Sequence, residues 1–197
     1  MSCARSRISS ALSNPAAQTS KPMRRYEHLL DEACEKGLTV IENYPFRSER
    51  IRGMLCDDTI ALSEQIDTEA ERTVVLCEEL THAERTVGDI LSDPRLERRA
   101  RQHNFDRLVG REGLVRAYLA GCRELWEFAD FLGVPEAFLA EAMANYRERY
   151  GTLTTVTTEQ GSFALTFEPT LCVKRLMRAK KPARVLRTHS KNKEATS

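Results

Sequence analysis

The residues best suited to chemistry sit in one short run, Cys77-Glu78-Glu79-Leu80-Thr81-His82. On a helix, residues four apart project from the same face one turn apart, so Glu78 and His82 could grip one metal ion together. Glu79 lies about 100° further round the axis, beside such a metal and free to act on its bound water. This is the spatial logic of H-E-x-x-H, two ligands and a general base on one helix, written here as E-E-x-x-H. A carboxylate oxygen binds zinc at about the same distance as an imidazole nitrogen, so the exchange permits the chemistry. The same spacing also suits a solvated face for Glu78 and Glu79, with His82 near the helix end where its charged form is favoured. Glu97, at the opening of the next helical stretch, is a third acidic candidate.

The elements that must position these residues are legible as local patterns. Leu29, Leu30, Ala33 and Cys34 fall at helical spacing, and Gly37 stands where a helix C-cap glycine belongs. Residues 38–41 read as a short strand, and 51–55 with 59–62 as a hairpin around a tight Asp57-Asp58 turn. Asp67 or Thr68 caps the helix that runs into His82, with Glu71 placed for a capping box and Gly88 as a possible end. Asp93-Pro94 opens a helix through Ala100, Phe105, Leu108 and Val109. Helices follow over 114–120, 124–132 and 136–150. A second hairpin, 153–158 with 162–167 around Gln160-Gly161, comes next, and the Lys/Arg-rich end after Cys172 reads as a solvated tail.

Charge is unevenly spread over the 197 residues, although the total is only +1. Residues 1–25 hold five basic residues and no acid, and residues 174–197 hold nine against Glu194. Residues 26–173 therefore carry sixteen basic and twenty-eight acidic residues, a net of −12. No apolar run approaches the roughly 20 residues needed to span a bilayer, which excludes an integral helical membrane protein. The N-terminus lacks an apolar signal core, so a cytoplasmic protein is expected. Six scattered cysteines without C-x-x-C form neither a zinc ribbon nor a disulfide framework and read as small buried apolar residues. The glycine motifs of nucleotide binding are missing.

Taken in order, residues 26–173 resemble the ImmA/IrrE family of zinc metallopeptidase-like proteins. Tyr26–Leu30 with Gly37–Val40, the hairpin Ile51–Leu55 and Asp57–Leu62, the helix ending Leu76-Cys-Glu-Glu-Leu-Thr-His82, and Glu97-Arg-Arg-Ala100 with Leu108-Val109 carry the likeness. Residues 125–150 and the Thr154–Phe167 hairpin are similar to the ending of versions carried by phages and integrative elements. The family's Gly before the last His is Thr81 here, which is expected to add bulk near the site. His103-Asn104 replaces an aromatic-Ala pair, and His103 reads as a core substitution, with an added polar group at the site as the alternative.

The resemblance implies an α+β fold, a small zincin-like metallopeptidase domain of hairpin plus ligand helices. A C-terminal helical subdomain and a terminal β-hairpin complete it. The expected organisation is a disordered leader (1–22), the metallopeptidase core (23–112), the helical subdomain and hairpin (113–173) and a basic disordered tail (174–197). It implies a Zn2+ held by Glu78, His82 and Glu97, with Mn2+ suited to such oxygen-rich ligation, and Glu79 as general base. The implied substrate is a helix-turn-helix transcriptional repressor, which makes the protein an anti-repressor of a mobile element. Two alternatives stand beside this reading: an inactive relative that only binds its partner, and a DNA-binding regulator. For the latter, residues 125–139 read as a helix-turn-helix with Gly133 at the turn. Glu136, Glu141 and Asn145 on its second helix suit phosphate contact poorly. Trp126, Phe128, Phe131 and Phe138 are expected to pack a helical subdomain, which leaves only the basic tail for non-specific contact with nucleic acid.

Overall fold

The computed structural model describes residues 25–85 and 94–177. The expected leader, the helix end at Gly88, the start signal at Asp93 and the tail beyond residue 177 lie outside the described residues. In chain order run α1 (Arg25–Glu35), β1 (Thr39–Tyr44), β2 (Gly53–Cys56), β3 (Thr59–Ser63), α2 (Glu69–Arg85), α3 (Pro94–Leu108), α4 (Arg111–Leu119), α5 (Leu125–Leu132), α6 (Glu136–Tyr150), β4 (Leu153–Thr158), β5 (Gly161–Thr166) and β6 (Cys172–Leu176). The class is α+β, as expected. Among the described residues no helix is long and apolar enough to cross a membrane.

The first sheet has the order β1-β3-β2. Its β2–β3 hairpin turns at Asp57-Asp58, where Asp57 adopts φ 50°, a left-handed conformation that Asp tolerates. β1 runs parallel to β3, pairing Thr39 with Thr59 and Val40 with Ile60. Ile60 and Leu62 point into the core from β3, while β2 presents Gly53 and Leu55 inward and Met54 and Cys56 outward.

α2 is the central element, packed by α1, α3, β2 and β3. Of the two expected caps, Asp67 and Thr68, it is Thr68 that starts it, its Oγ1 accepting from the Glu71 N–H at 3.2 Å. The Glu71 carboxylate faces Arg52 at 3.2 Å. Thr73, Leu76, Cys77, Leu80 and Thr81 form its buried stripe at helical spacing. α5 is closed by a capping box between Glu124 and Glu127 and by left-handed Gly133.

The second sheet, β4-β5-β6, is one strand larger than the expected hairpin. β6 pairs Leu165 with Val173 and Thr166 with Cys172, so Lys174, Arg175 and Leu176 belong to a strand and not to a tail. Only Val173 of β6 is buried, and its other residues carry the edge-strand chemistry that hides a strand in a basic sequence. The turn is Glu159-Gln160, and Gly161 opens β5 at φ 127°.

The buried side chains form one cluster from Tyr26 to Val173, continuous across residues 112 and 113. Tyr146 ties α6 into it: its hydroxyl donates to the Phe105 carbonyl at 2.9 Å and accepts from the Gly110 N–H at 3.1 Å. Phe128 and Phe138 are buried, as expected, and Phe131 packs against the cluster. Trp126 is not part of the packing, being 61% exposed at the first turn of α5. The cysteines also depart from expectation: Cys77 is buried, but Cys34 and Cys56 are exposed.

Candidate functional site

The edge of α2 that carries the E-E-x-x-H residues lies between β2 on one side and α3 on the other. Glu78, Glu79 and His82 are half-buried there, whereas Glu97 on α3 is exposed. Because Glu78 and Glu79 are adjacent on a helix, they leave the axis in different directions, one towards each neighbour.

Glu79 points under the edge strand β2. A Cβ built on Gly53 would lie 2.9 Å from Glu79 Oε1 and 2.5 Å from Val75 Cγ1, so the glycine is what admits this approach. Burial pushes the Glu79 carboxyl up to about 7, and the neighbouring Glu78 charge adds to the shift. A hydrogen bond from the Leu55 backbone pulls the other way. The result is a carboxyl poised to exchange a proton near neutrality.

Glu78 faces α3. Burial is the main cause that raises its carboxyl, opposed by the Arg101 guanidinium and reinforced by Glu97 and Glu141. Arg101 is ion-paired with Glu141 of α6. It follows Glu97 by one turn, so a single cation is shared among three carboxylates drawn from α2, α3 and α6. The α3 side of the site is thus rich in carboxylates, with Arg101 common to the three. Sequence reading placed Glu78 and Glu97 together but missed Arg101 and Glu141. The Glu97–Arg101 spacing was the available signal for the first, and nothing local announces the second.

The replacements at 81, 103 and 104 resolve differently from expectation. The Thr81 side chain is buried away from the site edge, its single O–H directed at Asn104 Oδ1 at 2.6 Å and shared with the Cys77 carbonyl at 2.9 Å. Its bulk therefore fills the α2–α3 core. Cys77 Sγ also contacts Asn104 Oδ1 at 3.6 Å. Thr81 and Asn104 thus meet in one buried polar contact, the hydroxyl answering the amide oxygen. His103 is exposed, so it is not a core substitution. Burial pushes the Cys77 thiol up to about 12, which leaves it un-ionised and unreactive at neutral pH.

Among the described residues no three of His, Cys, Asp and Glu stand together where one metal ion could be held. Glu78, His82 and Glu97 are all described residues, and as placed here they do not form such a group. Two open clefts, of about 390 and 330 Å³, lie elsewhere on the molecule and include none of these residues.

Comparison with protein-family models, with curated proteins and with solved structures finds no match for this chain. Fold and site together define an α+β domain with an acidic helix edge set beneath a β-hairpin.

Proposed function

We propose that this protein is a metal-dependent peptidase of the ImmA/IrrE type, acting on a regulatory protein such as a helix-turn-helix repressor. The observation that carries the reading is Glu79, a carboxyl raised to about 7 beneath the edge strand of the first sheet. Its sequence neighbour Glu78 lies within electrostatic reach of Glu97 from a second helix. This is the division of labour that hydrolysis requires, a proton-transfer group beside an anionic binding group.

Glu78, His82 and Glu97 are the residues that would hold the metal, which when bound supplies Lewis acidity for a peptide carbonyl and for water. Glu79 Oε takes a proton from the attacking water and returns it to the leaving amine, a task matched to its raised carboxyl. Gly53 keeps that oxygen close to the strand, and the half-buried setting restricts bulk water around it. The net −12 of residues 26–173 suits electrostatic attraction of a basic DNA-binding substrate.

A second reading, a relative that binds its partner without cutting it, is favoured by one observation. No three candidate ligands converge among the described residues, and Arg101 already neutralises part of the charge. The DNA-regulator reading has less support, since Leu139, Ala142 and Tyr146 of α6 are buried and Glu136, Glu141 and Glu148 are exposed.

Metal content of the full chain separates the first two readings. About one zinc or manganese per wild-type chain, lost in both His82→Ala and Glu97→Ala, is expected. Cleavage of the partner by wild type but not by Glu79→Gln then completes the case. Wild-type protein that stays metal-free after reloading refutes the peptidase and leaves the binding reading.

A further inference from the structure

We propose that the cleft between α1, α3 and α4 is a binding site for a small organic phosphomonoester, held by Arg25, Arg116 and His28. The site shares no residue with the α2 edge and does not depend on the peptidase reading.

The cleft has a volume of about 330 Å³ and is open to solvent. Arg25, Arg107 and Arg116 line it together with His28, and Glu32 is the acidic residue among them. Glu32 is already engaged, accepting from both Arg107 and Lys36. The Arg107 charge is therefore answered within the protein, and two guanidinium groups are not.

Arg25 is the more telling of the two. Its Nη1 donates to the Arg107 carbonyl at 3.2 Å, which fixes the guanidinium plane against α3. Its Nε is buried and has no hydrogen-bond partner. A buried, unanswered donor on a charged group costs free energy that folding alone does not return. Burial and then the neighbouring Arg116 charge push the Arg25 guanidinium down to about 10. Arg116 itself is exposed on α4. Among the described residues, no side-chain hydrogen bond or ion pair engages Arg116 or His28.

An anion would answer both guanidiniums at once, and the charge arithmetic selects its valence. Two unpaired arginines match a dianion, and guanidinium N–H forks match phosphate oxygens in geometry. Leu29 and Leu108, both buried, give the cleft an apolar floor. The volume exceeds what an inorganic ion fills and falls within the range of small-molecule sites. A phosphate on a small organic body fits both features. The adjoining residues 1–24 contain Arg5, Arg7, Lys21 and Arg24 and no Asp or Glu, so that segment brings no anion of its own.

The test is a calorimetric titration of the full chain at constant ionic strength, with EDTA present so that no divalent metal binds phosphate. The probes are phenyl phosphate, inorganic phosphate, phenyl sulfate and a short DNA duplex. Phenyl phosphate is expected to bind saturably at one site per chain, more tightly than inorganic phosphate and than the monoanionic sulfate ester. Arg116→Gln is expected to weaken it about tenfold or more. Arg116 is exposed, so that variant should fold normally, which circular dichroism checks. Arg25→Gln should weaken binding at least as much. Phenyl phosphate binding that is unsaturable, or that survives Arg116→Gln unchanged, overturns the proposal. So does DNA binding more tightly than phenyl phosphate and weakening in the same variants, which would make the cleft a nucleic-acid contact.

Discussion

Replacing Glu79 by glutamine removes an ionisable group while keeping its shape, and the structure fixes how stability should respond to pH. The Glu79 carboxyl moves from an ordinary 4.5 to about 7 on folding, chiefly through burial. The folded protein therefore holds a proton that the unfolded chain has released between those two values. Stability contributed by the protonated carboxyl is present below about pH 4.5 and is lost as pH rises towards about 7. At about 1.4 kcal/mol per pH unit of difference, the loss would approach about 3 kcal/mol. Residual solvent access at a half-buried position reduces it, so about 1–3 kcal/mol is the expected range. Glutamine never ionises and escapes the loss. Its amide can still accept from the Leu55 backbone, so the neutral forms compare closely. The assay is urea unfolding of wild type and Glu79→Gln at about pH 5 and about pH 8, with EDTA present to keep metal out of the comparison. Glu79→Gln should gain on wild type by the stated amount between the two conditions. Glu78 remains in both proteins and contributes to both profiles. Parallel profiles, or a variant that gains at the acid end, would refute the placement of Glu79 beneath β2.

Three further outcomes follow from particular contacts. Gly53→Ala forces a methyl against Val75 Cγ1, and should cost about 1–3 kcal/mol in chemical denaturation; a neutral result would mean that β2 and α2 are further apart. Thr81→Val removes the hydroxyl that donates to Asn104 and leaves a buried amide short of a partner, an expected loss of about 1–3 kcal/mol. Thr81→Val combined with Asn104→Leu should lose less than the sum of the single changes in a double-mutant cycle. Tyr146→Phe deletes the two hydrogen bonds by which its hydroxyl ties α6 to Phe105 and Gly110. It should lower stability by about 1–3 kcal/mol, and an unchanged melting temperature would contradict the buried hydroxyl.

What the sequence alone determined is what arises within one turn or one hairpin. A helix cap at Asp67 or Thr68, the helices at 124–132 and 136–150, the Asp57-Asp58 turn and the placement of Glu78, Glu79 and His82 along one helix follow from side-chain period and capping chemistry. These signals survive because the partners are neighbours along the chain. Tertiary structure decided everything that required distant segments to meet. The parallel pairing of β1 with β3 depends on strands twenty residues apart, and no local pattern specifies it. β6 was concealed because an edge strand buries only one residue, Val173, and its Lys and Arg read as tail. That His103 is exposed and Asn104 buried was settled by which face of α3 meets Thr81. Trp126 is exposed because α5 turns that position to solvent, whatever the residue's preference for burial. Arg25, Arg107 and Arg116 come from three helices, and only packing puts their like charges around one cleft. Glu79 shows both halves: its helix position was readable from spacing, but its raised carboxyl comes from the strand that folds over it, since burial is a property of the neighbours and not of the residue.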